Sequence, residues 1–282
     1  MKKVLIFFAV IFVLIVILSL MITFTHKVQL GEKVALVRVT GVILDSTDII
    51  DELREYEKNN SIKAVVLRID SPGGAVAPSQ EIYEEILKIK ENKKIIVSMG
   101  TVAASGGYYI AAPADKIVAN AGTLTGSIGV IMEIPNISGL MQKIGVETQV
   151  IKSGEHKDIA SMFKSLKPEE KQILQNVLDD VHNQFIMAVS EGRKMKFEEI
   201  KKLADGRIFT GRMAKELGLV DELGNLQDAI MLAGKLTGIK GEPQVIQKKE
   251  KFSFFDILKG EFPGKLMENV FHGISLKYLM TP

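Results

Sequence analysis

The 282-residue chain has no cysteine and no tryptophan, and its only histidines are His26, His156, His182 and His272. Without thiols it has no cysteine nucleophile, no iron–sulfur cluster, no cysteine-ligated zinc and no disulfide framework. None of the histidines falls in an H-x-x-x-H pair, so a histidine-based metal site is not expected. One-sided charge is missing as well: 36 Lys and Arg stand against 34 Asp and Glu, a net of +2. Residues 1–30 carry Lys2, Lys3 and Lys27 and no acid, so the remainder is at −1. A near-neutral body offers no footprint for a phosphate backbone, which argues against nucleic-acid partners. The roughly 250 residues after the start suffice for one large domain or two small ones.

What is present begins with an apolar run. From Val4 to Thr25 there is no charge, and most positions are Val, Ile, Leu, Phe or Met. At about 1.5 Å per residue this makes a helix of about 33 Å, enough for a hydrocarbon core of about 30 Å. A cleaved signal peptide usually has an apolar core of about 7–15 residues and an Ala-x-Ala-like site. Ser19-Leu20-Met21-Ile22-Thr23 offers no such site, so the expectation is an uncleaved signal anchor over 4–25. Lys2 and Lys3 place residues 1–3 in the cytoplasm and the rest of the chain outside it, against a lipid bilayer.

The remainder alternates between strand and helix patterns. Val34–Leu44 reads as a strand with an interruption at Gly41, and Ser46 or Thr47 as the cap of a helix carrying Ile49, Ile50, Leu53 and Tyr56. Ala64–Ile69 is a continuous apolar run apart from Arg68, as in a strand buried on both faces. After the turn Asp70-Ser71-Pro72-Gly73-Gly74, Pro78 suits the first turn of a helix, and Lys94–Met99 reads as the next strand. This strand–helix–strand spacing predicts right-handed parallel crossovers. Further strands are expected at 116–119, 129–132 and 148–151. Pro168 opens a long amphipathic helix with Ile173, Leu174, Val177, Leu178, Val181, Phe185 and Val189 on one face. Shorter helices are expected at 197–203, 211–217 and 227–236. The compact domain is taken as 31–240, and 241–282 as a polar linker (241–251) and a mixed tail.

Chemistry in an open parallel sheet gathers beyond the carboxyl ends of its strands. Two Gly pairs lie there, Gly73-Gly74 and Gly106-Gly107. Neither belongs to a phosphate loop or a Gly-x-Gly-x-x-Gly turn. Glycine lets backbone N–H groups approach a substrate oxygen closely. Ser105, in Ala103-Ala104-Ser105-Gly106-Gly107, resembles the strand-to-helix turn that exposes a serine nucleophile, with Ala at the first position of Gly-x-Ser-x-Gly; the alternative is a helix cap. A serine hydroxyl needs a base. Two stand together in Lys152-Ser153-Gly154-Glu155-His156-Lys157: His156, and Lys157, since a lysine acts as a base where burial disfavours its ammonium form. Ser161-Met162-Phe163-Lys164 matches Ser-x-x-Lys but lacks the companion Ser-Asp-Asn and Lys-Thr-Gly.

Five ordered motifs then carry a resemblance: Asp70–Gly74, Ala104–Tyr109, Gly122-Thr123-Leu124-Thr125-Gly126-Ser127-Ile128-Gly129-Val130, Lys152–Lys157, and Phe209-Thr210-Gly211-Arg212 through Glu216–Asp221. Over roughly residues 34–238 the chain resembles the bacterial signal peptide peptidase A family of membrane-anchored Ser–Lys proteases. That resemblance implies the Clp protease/crotonase-like α/β fold, with Ser105 as nucleophile and Lys157 as general base. Ser127 would orient the lysine amine, and the N–H groups of Gly74 and Gly106 would form the oxyanion hole, with Gly73 as a fallback. It implies no metal and no cofactor. It also implies a homo-oligomer whose dyad is completed between neighbouring subunits, cutting signal peptide remnants in the membrane. Two other readings are weighed: a crotonase-type acyl-CoA enzyme, which should supply a carboxylate base and be soluble, and a non-catalytic membrane scaffold, which needs neither Ser105 nor Lys157.

Overall fold

The computed structural model describes Phe12, residues 32–248 and residues 277–279; the 4–25 span expected from the sequence lies outside them except for Phe12. Among the described residues no helix is long and apolar enough to cross a membrane.

The chain begins β1 (Lys33–Thr40), α1 (Thr47–Lys58), β2 (Ile62–Ser71), β3 (Gly73–Ala75), α2 (Val76–Lys90) and β4 (Lys94–Ala104). It continues through α3 (Gly106–Ala111), β5 (Lys116–Ala119), β6 (Leu124–Gly126) and α4 (Ser138–Lys143). Then come α5 (Pro168–Arg193), α6 (Phe197–Leu203), β7 (Ile208–Thr210), α7 (Gly211–Glu216), β8 (Glu222–Leu223), α8 (Leu226–Thr237) and β9 (Gln244–Ile246). One further strand, β10 (Lys277–Leu279), lies near the carboxyl end.

The main sheet runs β7-β6-β4-β2-β1-β9, and β4 also pairs β5, which pairs β8. All its pairings are parallel except β6 with β7. The continuous apolar run of β2 is explained by cover on both faces. Val65, Leu67 and Ile69 enter the larger core with Leu53, Ile82, Ile86 and Phe185. Ala64 and Val66 join Ile96, Ala229, Ile230 and Ala233 of α8 in a second core on the other face. Strand side chains alternate between faces, so each half of the run serves a different core.

Several boundaries come from local chemistry. Ser46 precedes α1, but its hydroxyl does not cap it; it donates to Glu81 of α2, and Asp45 Oδ1 accepts from Thr47 N–H at 2.8 Å. Pro168 sits at the start of α5, where its missing N–H costs nothing. Asn225 caps α8, its side-chain carbonyl oxygen accepting from Gln227 N–H at 2.7 Å.

Three features differ from the sequence reading. No strand forms at 129–132 or at 148–151. Residues 144–167 carry turns instead, with Val150 and Ile151 on the surface, because no neighbouring strand edge is there to pair them. The apolar stripe of α5 is fully buried only in its second half: Val181, Phe185 and Val189 are covered, whereas Ile173 and Leu174 are half-buried and Val177 is exposed. The polar stretch 241–251, read as a linker, contains β9, which pairs in parallel with β1 through Val34↔Val245; the sheet therefore continues past residue 240.

Candidate functional site

The site is built where β2 and β4 separate. Pairing is regular up to Ile69↔Met99 and resumes at Ser71↔Ala103, so β4 bulges over Gly100–Val102. The bulge is pinned rather than loose. Asp70 Oδ1 accepts from Val102 N–H at 3.1 Å, Thr123 Oγ1 donates to Gly100 O at 2.7 Å and Thr125 Oγ1 to Ala103 O at 2.6 Å. Extra residues in one strand redirect the chain beyond them, and here that redirection aims Ser105.

Ser105 has φ 53° and ψ −119°, a backbone conformation that costs a non-glycine residue about 1–3 kcal/mol and persists only where surroundings impose it. They do so here from both sides. Its N–H donates to Gly126 O at 2.8 Å, and its carbonyl accepts from Tyr109 N–H at 2.8 Å as α3 begins. The helix itself is wholly buried. Tyr108 OH donates to Leu219 O at 2.8 Å. The Tyr109 ring lies 5.0 Å from both the Tyr83 and the Phe185 ring, and burial pushes the Tyr83 phenol up to about 12. The capping alternative fails: the Ser105 side chain makes no cap hydrogen bond. The residue is 1% exposed and its Oγ has no hydrogen-bond partner. A buried hydroxyl left unpaired is costly and needs a reason.

Ser127 stands beside it by register. Ala104 pairs with Gly126, so each serine lies one residue past a paired position, at the ends of neighbouring strands. Ser127 also has positive φ, 50°, and is nearly buried; its N–H donates to Arg207 O at 2.9 Å. Only four non-glycine residues among those described have positive φ, and two of them are these serines.

Gly73-Gly74 stands against the same turn. Gly73, at φ +103°, donates its N–H to Ser71 Oγ at 3.1 Å. Ile43 N–H donates to Gly73 O at 2.9 Å and Ala75 N–H to Ile43 O at 2.7 Å. Successive strand residues turn their polar groups to opposite edges, so Gly74 presents its own N–H and C=O to the other edge. A methyl on Gly106 would lie 3.1 Å from Gly74 N and 2.7 Å from Ser79 Oγ; the Gly74 amide and the start of α3 are thus in close contact. Ser79, which the sequence reading passed over, is fully buried and donates to Ala75 O at 2.9 Å, wedging α2 against this corner.

Ser105, Ser127, Gly74 and Gly106 therefore converge. Lys157 does not join them within one chain. It is exposed, and the unpartnered Ser105 Oγ shows that no hydrogen bond links the two. Its segment is nevertheless held. Asp158 accepts from Lys152 Nζ at 2.6 Å and pairs with Lys164 Nζ at 3.0 Å, which in turn reaches Glu170 at the start of α5 at 2.6 Å. Hydrogen bonds from Lys152 and Lys164 hold the Asp158 carboxyl down at about 2. Neighbouring His156 has an unpartnered, buried Nδ1.

Comparison with known proteins decides the family. The model of peptidase family S49 matches residues 88–240, and that of Clp protease matches residues 35–125. The chain belongs to peptidase family S49. A Synechocystis sp. protein named "Putative protease slr0021" is 46% identical over 215 residues, covering 76% of this chain and 77% of its own. A Methanocaldococcus jannaschii protein named "Putative protease MJ0651" is 34% identical over 88% of this chain and 86% of its own. An Enterococcus faecium protein named "Putative signal peptide peptidase SppA" is 38% identical over 71% of this chain and 62% of its own. As an S49 member the chain is a serine protease acting on peptide substrates, which removes the acyl-CoA and scaffold readings. Its parallel α/β core is consistent with the Clp-protease-like fold.

Proposed function

We propose that this S49 peptidase is a Ser–Lys endopeptidase with Ser105 as nucleophile, Lys157 as general base and Ser127 as the hydroxyl that orients the lysine amine. The carrying observation is the buried, unpartnered Ser105 Oγ on a strained turn beside the Gly74 amide. Ser105 Oγ attacks the scissile carbonyl carbon while its proton passes to the neutral amine of Lys157. The oxyanion accepts hydrogen bonds from the N–H groups of Gly74 and Gly106. Removing one such donor typically costs about 3–4 kcal/mol of barrier. Collapse breaks the C–N bond, and the lysine ammonium returns its proton to the departing amine. Water then attacks the acyl carbon as its proton passes to Lys157, and the lysine returns that proton to Ser105 Oγ as the ester bond breaks, as histidine manages in the serine triads.

Because Lys157 is exposed and unjoined to Ser105 in one chain, the base comes from a neighbouring subunit of a homo-oligomer. The surface supports that reading. Leu140, Ile144, Val150 and Phe163 stand exposed around the Lys157 segment, as does Val177 in the first half of the α5 stripe. Apolar surface gathered in this way marks an interface. With the uncharged run 4–25 as a membrane anchor and the catalytic domain extracytoplasmic, the substrates are signal peptide remnants in the bilayer, in keeping with the name of the Enterococcus relative.

The test is turnover of casein and of a synthetic signal peptide by the full chain in detergent. Ser105→Ala and Lys157→Ala should each lose at least about 10³-fold in kcat with unchanged thermal unfolding. Mixing the two inactive variants should restore partial activity if the dyad spans subunits. Full activity of Lys157→Ala with loss in His156→Ala would transfer the base to His156.

A further inference from the structure

Ser105 and Lys157 are not joined within a chain, yet one helix reaches the supports of both. Near the far end of α5 the Phe185 ring lies 5.0 Å from the Tyr109 ring, and Tyr109 N–H donates to Ser105 O at 2.8 Å. At the start of α5 Glu170 is 2% exposed, a rare place for a carboxylate. Its Oε2 accepts from Lys167 N–H at 3.1 Å, and its Oε1 accepts from Lys164 Nζ at 2.6 Å. Lys164 Nζ also lies 3.0 Å from Oδ1 of Asp158, the residue after Lys157. Glu170 and Phe185 are fifteen residues apart, about 22 Å of helix.

Helix capping does not explain that burial. Asp228 caps α8 in the same way, accepting from Asn225 N–H at 2.7 Å, and stays exposed. A carboxylate taken out of water is kept where partners offset its lost hydration, and the partner of Glu170 is Lys164. The segment held by this pair is folded on itself. The N–H groups of Lys157, Ile159 and Ser161 donate to the carbonyls of Gly154, His156 and Asp158 at 3.2, 3.0 and 3.1 Å. Ala160 among them is buried at φ 63°, in the left-handed region that alanine avoids. With Ser105 and Ser127 it makes three of the four non-glycine residues at positive φ among those described. Strain of this kind persists where surroundings impose it, and it gathers at functional sites. The Asp158–Lys164 pair closes across Ala160.

We propose that Glu170 and Lys164 are positioning residues for Lys157: through Asp158 they fix the lysine's turns to the start of α5. The helix that supports the nucleophile turn of its own chain thereby sets where that chain presents its lysine to a neighbour. The inference rests on the reading of Ser105 and Lys157 as a dyad shared between subunits. Glu170 and Lys164 touch no reacting atom; they act only through the lysine they place, so a fault in them should be felt in the neighbour's site.

The test uses the full chain in detergent and a double variant, Lys164→Met with Glu170→Gln, which strands no charge and keeps an acceptor for Lys167 N–H. In hybrids of Ser105→Ala and Lys157→Ala chains, each working site takes its serine from one chain and its lysine from the other. Adding the double variant to the Ser105→Ala chain, which supplies the lysine, should lower kcat about ten- to hundred-fold with KM held within about two-fold. Adding it to the Lys157→Ala chain, which supplies the serine, should leave both constants within about two-fold. Lys164→Arg, which keeps the ion pair, should retain activity in either chain. Equal loss from both placements makes the pair a support of the fold and overturns the proposal, as does no loss from either. Hybrids without activity sink the shared site instead; the double variant in an otherwise unchanged chain must then still lower kcat with KM unmoved, or the proposal falls as well. Full activity of Lys157→Ala ends the base assignment and the proposal together. Amide exchange at Ile159 and Ser161, which should speed up at least about ten-fold in the double variant, then still shows whether the pair holds these turns.

Discussion

At the scale of the residue, the site depends on places where a methyl group does not fit. A Cβ on Gly74 would lie 2.0 Å from Ile43 O and 2.5 Å from Ile43 N, both backbone atoms with no freedom to yield. Gly74→Ala should therefore push β3 away from Ile43 and turn its amide from the pocket. A kcat loss of about 10²–10³-fold is expected if that donor leaves the oxyanion, with unfolding destabilised by about 1–3 kcal/mol. Both are read from kinetics and denaturant titration of the same sample. Tyr108→Phe probes support rather than chemistry: it strands the buried Leu219 carbonyl that now accepts from Tyr108 OH. The expected cost is about 1–3 kcal/mol in chemical unfolding with kcat preserved. Ser105 was legible in the sequence because small residues before it and two glycines after it are what a tight strand-to-helix turn needs. The strain at Ser127 was not legible from its residue type, since a serine at positive φ has no compositional mark. Its sign was the preceding Gly126, opposite Ala104 in the ladder.

At the scale of the element, strands buried on both faces announced themselves, because β2 and β4 must be apolar at nearly every position to satisfy two cores. The stretches 129–132 and 148–151 have the same residue types without a strand: Val130 packs half-buried against the larger core, whereas Val150 and Ile151 lie on the surface. β9 and β3 escaped composition for the opposite reason; one is only Gln-Val-Ile within a polar stretch and the other is Gly-Gly-Ala, so pairing alone defines them. The Lys157 segment is held as an element by the chain Lys152–Asp158–Lys164–Glu170. The Asp158 carboxyl, depressed to about 2 from its ordinary 3.8, contributes its stabilisation above the ordinary value and loses it as pH falls through about 2. The clamp is thus intact throughout the neutral range. Asp158→Asn should leave the global unfolding transition essentially unmoved while tryptic nicking at Lys152, Lys157 and Lys164 accelerates, as followed by mass spectrometry.

At the scale of the whole molecule, a single chain holds Ser105 buried and Lys157 on its surface, and exposed apolar side chains stand near Lys157 in the chain. Val177→Lys, placing charge at the exposed position of the α5 stripe, should shift sedimentation towards the monomer and reduce specific activity in parallel. If the proposed base comes from a neighbouring subunit, the buried Ser105 and exposed Lys157 also set a rule for when this enzyme acts. Newly made copies, scattered singly, would be inert towards the proteins around them. Hydrolysis would begin only where copies accumulate, and dilution should extinguish it faster than in proportion to the amount of protein. Under the proposed shared site, crowding of copies would thereby serve as a zymogen step.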